Sequence, residues 1–200
     1  MTASLSGIDL LGKIAWVVLV VGWYVLRHPF NRRAKRTRVS DNRLKRDERL
    51  RLAISTLGLG VLPGLYVATG MPGFATYPAS PWMFGLGIVA GLAAMVLFRL
   101  THKALGRMWS VSLQLKEGHR LVTDGIYRHV RHPMYSAFWL LALAQALLLP
   151  NWIAGLAGIV GFGTLFALRL RPEERMMEAA FGDEYRTYAA RTWRIIPFVF

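Results

Sequence analysis

Two polar stretches carry residues whose types and spacing could do chemistry. One reads His119-Arg120-Leu121-Val122-Thr123-Asp124-Gly125-Ile126-Tyr127-Arg128-His129-Val130-Arg131-His132-Pro133-Met134-Tyr135. The other reads Arg169-Leu170-Arg171-Pro172-Glu173-Glu174, followed by Phe181-Gly182-Asp183-Glu184-Tyr185. Tyr127 and Tyr135 offer flat faces and hydroxyls suited to an adenine, or to a sulfonium by cation–π attraction. Asp124-Gly125 is a turn dipeptide whose Gly tolerates a positive φ. Pro133 fits the first turn of a helix, where its missing N–H costs nothing. The free N–H groups of that helix start, with Arg131 and His132 beside them, would favour a carboxylate. Glu173 and Glu174 follow Pro172 and read as opening a helix, where acids are favoured in any case. A ligand role and plain helix-start stabilisation both account for the pair. His102, His119, His129 and His132 lie in one stretch, but their spacing matches no zinc pattern, so no metal is expected. The chain has no cysteine, which excludes thiol nucleophiles, thiolate metal sites and disulfides.

The elements that must position these residues are apolar. Of the 200 residues 54% are hydrophobic. They gather in five blocks, at 8–26, 52–69, 82–98, 134–149 and 152–168, each close to the ~20 residues that cross a bilayer. The first block holds Asp9 and Lys13, four apart, which can pair on a helix near the outer interface. It lacks a basic n-region and a small-residue cleavage site, and so reads as a retained helix and not a signal peptide. His28, before Pro29, reads as a helix-end feature. The expected fold class is all-α, a polytopic membrane protein with about five transmembrane helices and a cytoplasmic C-terminal helical region that binds a cofactor.

The formal net charge is +14, and its placement sets the topology. Residues 27–51 hold eleven Lys or Arg and residues 99–131 seven more, whereas the loop 71–81 has no charge and Pro150-Asn151 is a bare turn. Arg169, Arg171, Arg175, Arg186, Arg191 and Arg194 follow the last block. Basic residues stay inside, so the N-terminus is expected outside and the C-terminus in the cytoplasm. A prokaryotic inner membrane fits that topology. Orientation and anionic lipid headgroups account for the basic run 32–51, read as a solvated loop with some helix. Aromatic residues are not interleaved with it, so nucleic acid is not expected as a partner. The last two blocks are joined by two residues and form an antiparallel hairpin. That hairpin brings the two polar stretches to one membrane face. Gly155, Gly158, Gly161 and Gly163 would let neighbouring helices approach closely, or simply reflect how common Gly is in membrane helices.

The run 121–135, the Arg-x-x-x-Glu-Glu at 169–174 and the Phe-Gly-x-Glu-Tyr-x-x-Tyr at 181–188, ending near Ile196-Pro197, resemble the isoprenylcysteine carboxyl methyltransferase family. The related phospholipid N-methyltransferases share much of the pattern. The resemblance covers roughly 112–198; the first half is alike only in being hydrophobic and helical. It implies two regions, helices and basic loop at 1–111 and a methyltransferase region at 112–200. It implies S-adenosylmethionine as cofactor, leaving as S-adenosylhomocysteine. By the same resemblance the pocket is lined by Gln114, by His119, Arg120, Leu121 and Val122, by Tyr127, and by His132, Pro133, Met134 and Tyr135. Glu173 contacts the cofactor, with Glu174 beside it, and Arg169 lies near the methyl acceptor.

The expected partners are a lipophilic or lipidated acceptor arriving sideways from the bilayer, and membrane lipids. A carboxylate acceptor would need no general base, being ionised at neutral pH. An amine acceptor would need one, from Glu173, Glu174 or His132. Three other readings stay open: a phospholipid amine methyltransferase, a sterol-reductase-like enzyme using NADPH, and a non-enzymatic scaffold or transporter. Against the last, no ionisable residue lies deep in helices two to five.

Overall fold

The computed structural model describes residues 2–34, 45–106 and 120–200, with side chains at 7–32, 47–106 and 120–200. Among the described residues there are six α-helices: α1 (Thr2–Ala34), α2 (Lys45–Thr56), α3 (Leu62–Thr69), α4 (Pro81–Leu105), α5 (Pro133–Leu148) and α6 (Trp152–Ala190). A π-helical turn, Leu57–Val61, joins α2 to α3 in one rod. Among the described residues there is no strand, only the isolated bridges Thr76–Asn151 and Val130–Trp193. Gly7–Arg32, Asp47–Thr69, Pro81–Leu105 and α6 are long and apolar enough to cross a membrane. The fourth apolar block forms α5, whose 16 residues span only about 24 Å at 1.5 Å per residue. The protein is therefore an all-α membrane protein with several spans, as its apolar blocks predict.

The packing order follows from small residues. α4 lies along α5, α5 on α6, and α2 with its π-turn packs on α6 as well, while α1 covers α4 and α5. Ala90, Ala94, Ala137 and Ala144 bring α4 and α5 together around Phe98, with Leu19 of α1 and Leu148 filling the seam. A Cβ on Gly58 would stand 2.2 Å from the Ala157 carbonyl oxygen, and one on Gly161 would stand 2.8 Å from that of Ile54. Gly155, Gly158 and Gly161 are likewise filled up to the Cβ position by neighbouring atoms, and Gly163 meets the Trp139 ring at 3.2 Å. Close approach is thus what this glycine series provides.

Polar groups fasten the bundle inside its apolar part. Gln145 of α5 is 1% exposed. Its amide donates to the carbonyls of Gly58 at 3.1 Å and Ala154 at 2.8 Å and accepts from the Trp16 indole at 3.4 Å. It thereby ties α1, the π-turn, α5 and α6 at one point, where no water competes. Gln145→Leu keeps the volume and removes every one of these bonds; thermal unfolding in nanodiscs should report a loss of about 1–3 kcal/mol. Asn151 makes the two-residue turn more than a bare one. Its side chain caps α6 by accepting from the N–H of Ile153 and Ala154, and donates to the Pro72 carbonyl of the opposite loop at 2.9 Å.

Two prolines do not end helices as the sequence suggests. α1 runs on through Pro29, with His28 packed on Tyr24 inside it, and α6 runs on through Pro172. A proline removes one N–H and crowds the preceding turn, but packing beyond each site holds the helix. Phe30 is buried against the His102 ring at 4.9 Å, and Glu173 and Glu174 are anchored as described below. Glu173 and Glu174 therefore sit mid-helix, and helix-start stabilisation does not explain them. The break in α6 comes at Gly182, with φ 53° and ψ −125°, a conformation L side chains avoid. The expected pairing of Asp9 with Lys13 is present at 2.7 Å.

Candidate active site

α5 begins and the apolar part of α6 ends at the same face, because the Asn151 turn makes the two helices antiparallel neighbours. Arg169 and Glu173 lie one turn apart on α6 and so share a side. The Tyr135 hydroxyl, from the first turn of α5, donates to the Glu173 carboxylate. Arg169 Nε stands 3.6 Å from the same carboxylate. The His132 ring stacks on Tyr135 with centroids 5.4 Å apart and planes at 19°, and its Nδ1 is 3.9 Å from Glu173. His132, Tyr135, Arg169 and Glu173 thus form one cluster. Below it, towards the hairpin, Phe162, Phe166, Phe138 and Trp139 make an aromatic layer against Tyr135.

One member of this cluster is absent from the sequence reading. Glu48 of α2, only 4% exposed, places Oε1 3.0 Å from Arg169 Nη1. The contact is one of charge and not of a well-aligned hydrogen bond. Arg169, 8% exposed, is held between this acid from the first half of the chain and Glu173. Nothing local marks Glu48: it lies in a basic run whose charges are already explained by topology.

Glu174 serves a different neighbourhood. It accepts from Arg131 Nε at 3.1 Å and Arg194 Nε at 3.1 Å, with His132 Nε2 at 3.5 Å. Arg131 also donates to the Ala189 and Thr192 carbonyls. The carboxylate attracted to the basic start of α5 is thus the chain's own, and the expectation that Arg131 is open to a ligand carboxylate is corrected here. Glu174→Gln should lower stability by about 1.5–3 kcal/mol, as for hydrogen bonds between charged groups. A melting curve reads that loss.

The remaining expected residues divide. Tyr127 sits in a 3₁₀ turn (Gly125–Arg128) that Gly125 allows with φ 59°. Its carbonyl accepts from the Tyr188 hydroxyl at 2.7 Å. Burial, reinforced by nearby Glu173, pushes the Tyr127 phenol well above its usual range, so it serves as a hydroxyl and not as a base. Pro133 is buried at the first position of α5. Met134 is turned away, its side chain packing on the α1–α4–α5 core. Leu121 and Val122 are half-buried in the irregular segment before the turn, and Arg120 is exposed. Gln114 and His119 lie outside the described residues.

These features define a class: an integral-membrane α-helical protein whose ionisable residues cluster where two apolar helices leave the bilayer. The model of the isoprenylcysteine carboxyl methyltransferase family matches residues 86–179. Protein-S-isoprenylcysteine O-methyltransferase B of Arabidopsis thaliana is 31% identical over 120 residues, 59% of this chain and 61% of that one. The protein-S-isoprenylcysteine O-methyltransferase of Schizosaccharomyces pombe is 36% identical over 89 residues, 44% of this chain and 38% of that one. That of Rattus norvegicus is 26% identical over 120 residues, 59% of this chain and 42% of its own. Residues 86–179 of this chain are thus similar to the isoprenylcysteine carboxyl methyltransferase family. It spans about six tenths of the length of the Arabidopsis relative. Tyr135, Arg169, Glu173 and Glu174 fall inside the matched segment; Glu48 and Arg194 do not.

Proposed function

We propose that this protein is an S-adenosylmethionine-dependent methyltransferase of the membrane, acting on a lipid-like acceptor of the isoprenylcysteine type. The single observation that carries the reading is the cluster of Tyr135, Glu173 and Arg169 at one membrane face, inside the segment that matches the family. The residues suit the cofactor. Glu173 is the most exposed acid of the cluster, with 27% of its side chain accessible, and can face a cationic group. The Tyr135 and His132 rings offer flat surfaces beside it.

When bound, S-adenosylmethionine supplies a methyl group already activated on its sulfonium, which an ionised carboxylate takes without any proton having to move. The protein's part is to hold and align. Glu173 and the aromatic faces would orient the cofactor; Arg169, steadied by Glu48, would turn part of its guanidinium to the acceptor carboxylate. Alignment of this kind can supply ~7–11 kcal/mol of a barrier. The aromatic layer beneath Tyr135 would exclude water and receive an apolar tail arriving from the bilayer. The clusters of Lys and Arg at 27–51 and 99–131 support a cytoplasmic position for this face by the positive-inside rule.

The test is purified protein in nanodiscs given methyl-labelled S-adenosylmethionine, with an S-prenylated cysteine in one arm and membrane phospholipid in the other. The expected product is a prenylcysteine methyl ester, whose label alkali releases as methanol. Alkali-stable label on a phospholipid amine would move the acceptor to that class. No label in either arm, with thermal stabilisation by NADPH and not by S-adenosylhomocysteine, would remove the methyl-transfer reading.

A further inference from the structure

Beyond α6 the chain passes back along the start of α5. The Trp193 N–H donates to the His129 carbonyl at 3.2 Å, while the Trp193 and Arg194 carbonyls accept from the N–H of Arg131 and His132 at 2.7 and 2.9 Å. Ser136 Oγ donates to the Ile195 carbonyl at 2.6 Å. The next residues fold into a hook: the Ile195 and Ile196 N–H groups both donate to the Phe200 carbonyl, at 2.8 and 2.9 Å, and the Phe200 N–H returns to Ile196 at 3.1 Å. Phe198 adopts φ 65°, a left-handed conformation uncommon for a bulky residue. The hook turns its apolar side chains outward together: Phe198 is 84% exposed, Val199 75%, Ile196 50% and Phe200 44%.

The depth of the hook follows from α5. At about 24 Å, α5 is shorter than the ~30 Å hydrocarbon core it must help to cross, so its first residue lies no farther out than the boundary. Residues 193–195 are bonded to 129–136 and must lie at that same level. One cation touches the hook, Arg194 over the Phe200 ring at 5.1 Å, and Arg191 and Arg128, both exposed, lie on the two segments that lead to it and pair beside it. Exposed apolar side chains with arginine beside them at the boundary are the composition of a segment that lies in a bilayer interface.

We infer that the hook formed by residues 196–200 is seated in the acyl–headgroup boundary of an anionic bilayer, Phe198 and Val199 inserted and the arginines on headgroups. Because the chain leading to it carries Arg194, which holds Glu174, and is bonded to Arg131 and His132, the hook also sets that side of the active cluster against the membrane surface. The inference does not depend on methyl transfer.

The chain has no cysteine, so single nitroxide labels can be placed at Phe198→Cys and Val199→Cys, with Asp183→Cys, whose side chain is 94% exposed, as the water-side control. In nanodiscs of phosphatidylcholine and phosphatidylglycerol, oxygen should relax both hook labels several-fold more than a water-soluble nickel chelate does, with the order reversed at the control. Hook labels matching the control would overturn the inference. Labels shielded from both reagents would point to a covering protein surface and overturn it equally. The unaltered protein gives a second reading, in the same nanodiscs carrying a phospholipid with a photoactivatable acyl chain. Adducts mapped by mass spectrometry to residues 196–200 are expected, and adducts on α1 and α4 alone would refute the seat in the bilayer.

Discussion

Arg169→Ala should lower kcat by about 10²–10³-fold, the usual cost of removing one preorganised charged donor from a reacting oxygen, while the affinity for S-adenosylhomocysteine stays near that of the wild type. The guanidinium lies between Glu48 and Glu173, nearly buried, at the face where an acceptor would arrive. On the proposed reading it orients the acceptor more than it grips the cofactor. The substitution also strips Glu48 of the cation beside it. Losing one partner of a buried ion pair costs about 3–5 kcal/mol, so the melting temperature must be followed with the kinetics. Arg169→Lys separates the two effects: it keeps the charge for Glu48 but loses the planar fork that holds a carboxylate at two points. It should therefore fold near normally and still turn over slowly. A variant that loses cofactor affinity and keeps its turnover would reverse the assignment.

Glu173→Gln is expected to weaken S-adenosylhomocysteine binding by roughly 10–100-fold, the 1.5–3 kcal/mol typical of a hydrogen bond to a charged group. Isothermal calorimetry on protein in nanodiscs measures it directly. The neighbouring acid supplies the contrast. Glu174 spends its oxygens on Arg131 and Arg194, so its amide variant should melt earlier with a smaller effect on binding. Equal losses of affinity for the two variants would mean that the cluster responds as one body. Wild-type affinity in Glu173→Gln would take the cofactor away from this carboxylate.

What could be read from the chain and what could not divides along the range of the interactions. The apolar blocks, the Asp9–Lys13 pair, the Gly125 turn and the antiparallel α5–α6 hairpin are set by neighbours a few residues apart, and each is in place. The meeting of Tyr135 with Glu173 followed from the hairpin alone. Glu48 was hidden because its burial depends on Arg169, which comes from a distant helix. Gln145 read as one more residue of an apolar block; only the packing of α1 and the π-turn against it gives its amide four helical segments to join. Pro29 and Pro172 misled because their local cost is real but smaller than the packing beyond them, and α6 breaks where Gly182 permits it.

The Glu48–Arg169 contact bears on how the protein is made. Helices are threaded into the bilayer in the order of synthesis, so the acid of α2 arrives well before the guanidinium that answers it. A nascent chain arrested ahead of α6 would lack both the guanidinium placed beside Glu48 and the helix on which α2 packs. Such a chain should be cleared by membrane quality-control proteases faster than the finished one, and the Glu48→Gln substitution should prolong its life. α6 then acts as a clasp for the helices made before it as well as a wall of the proposed site.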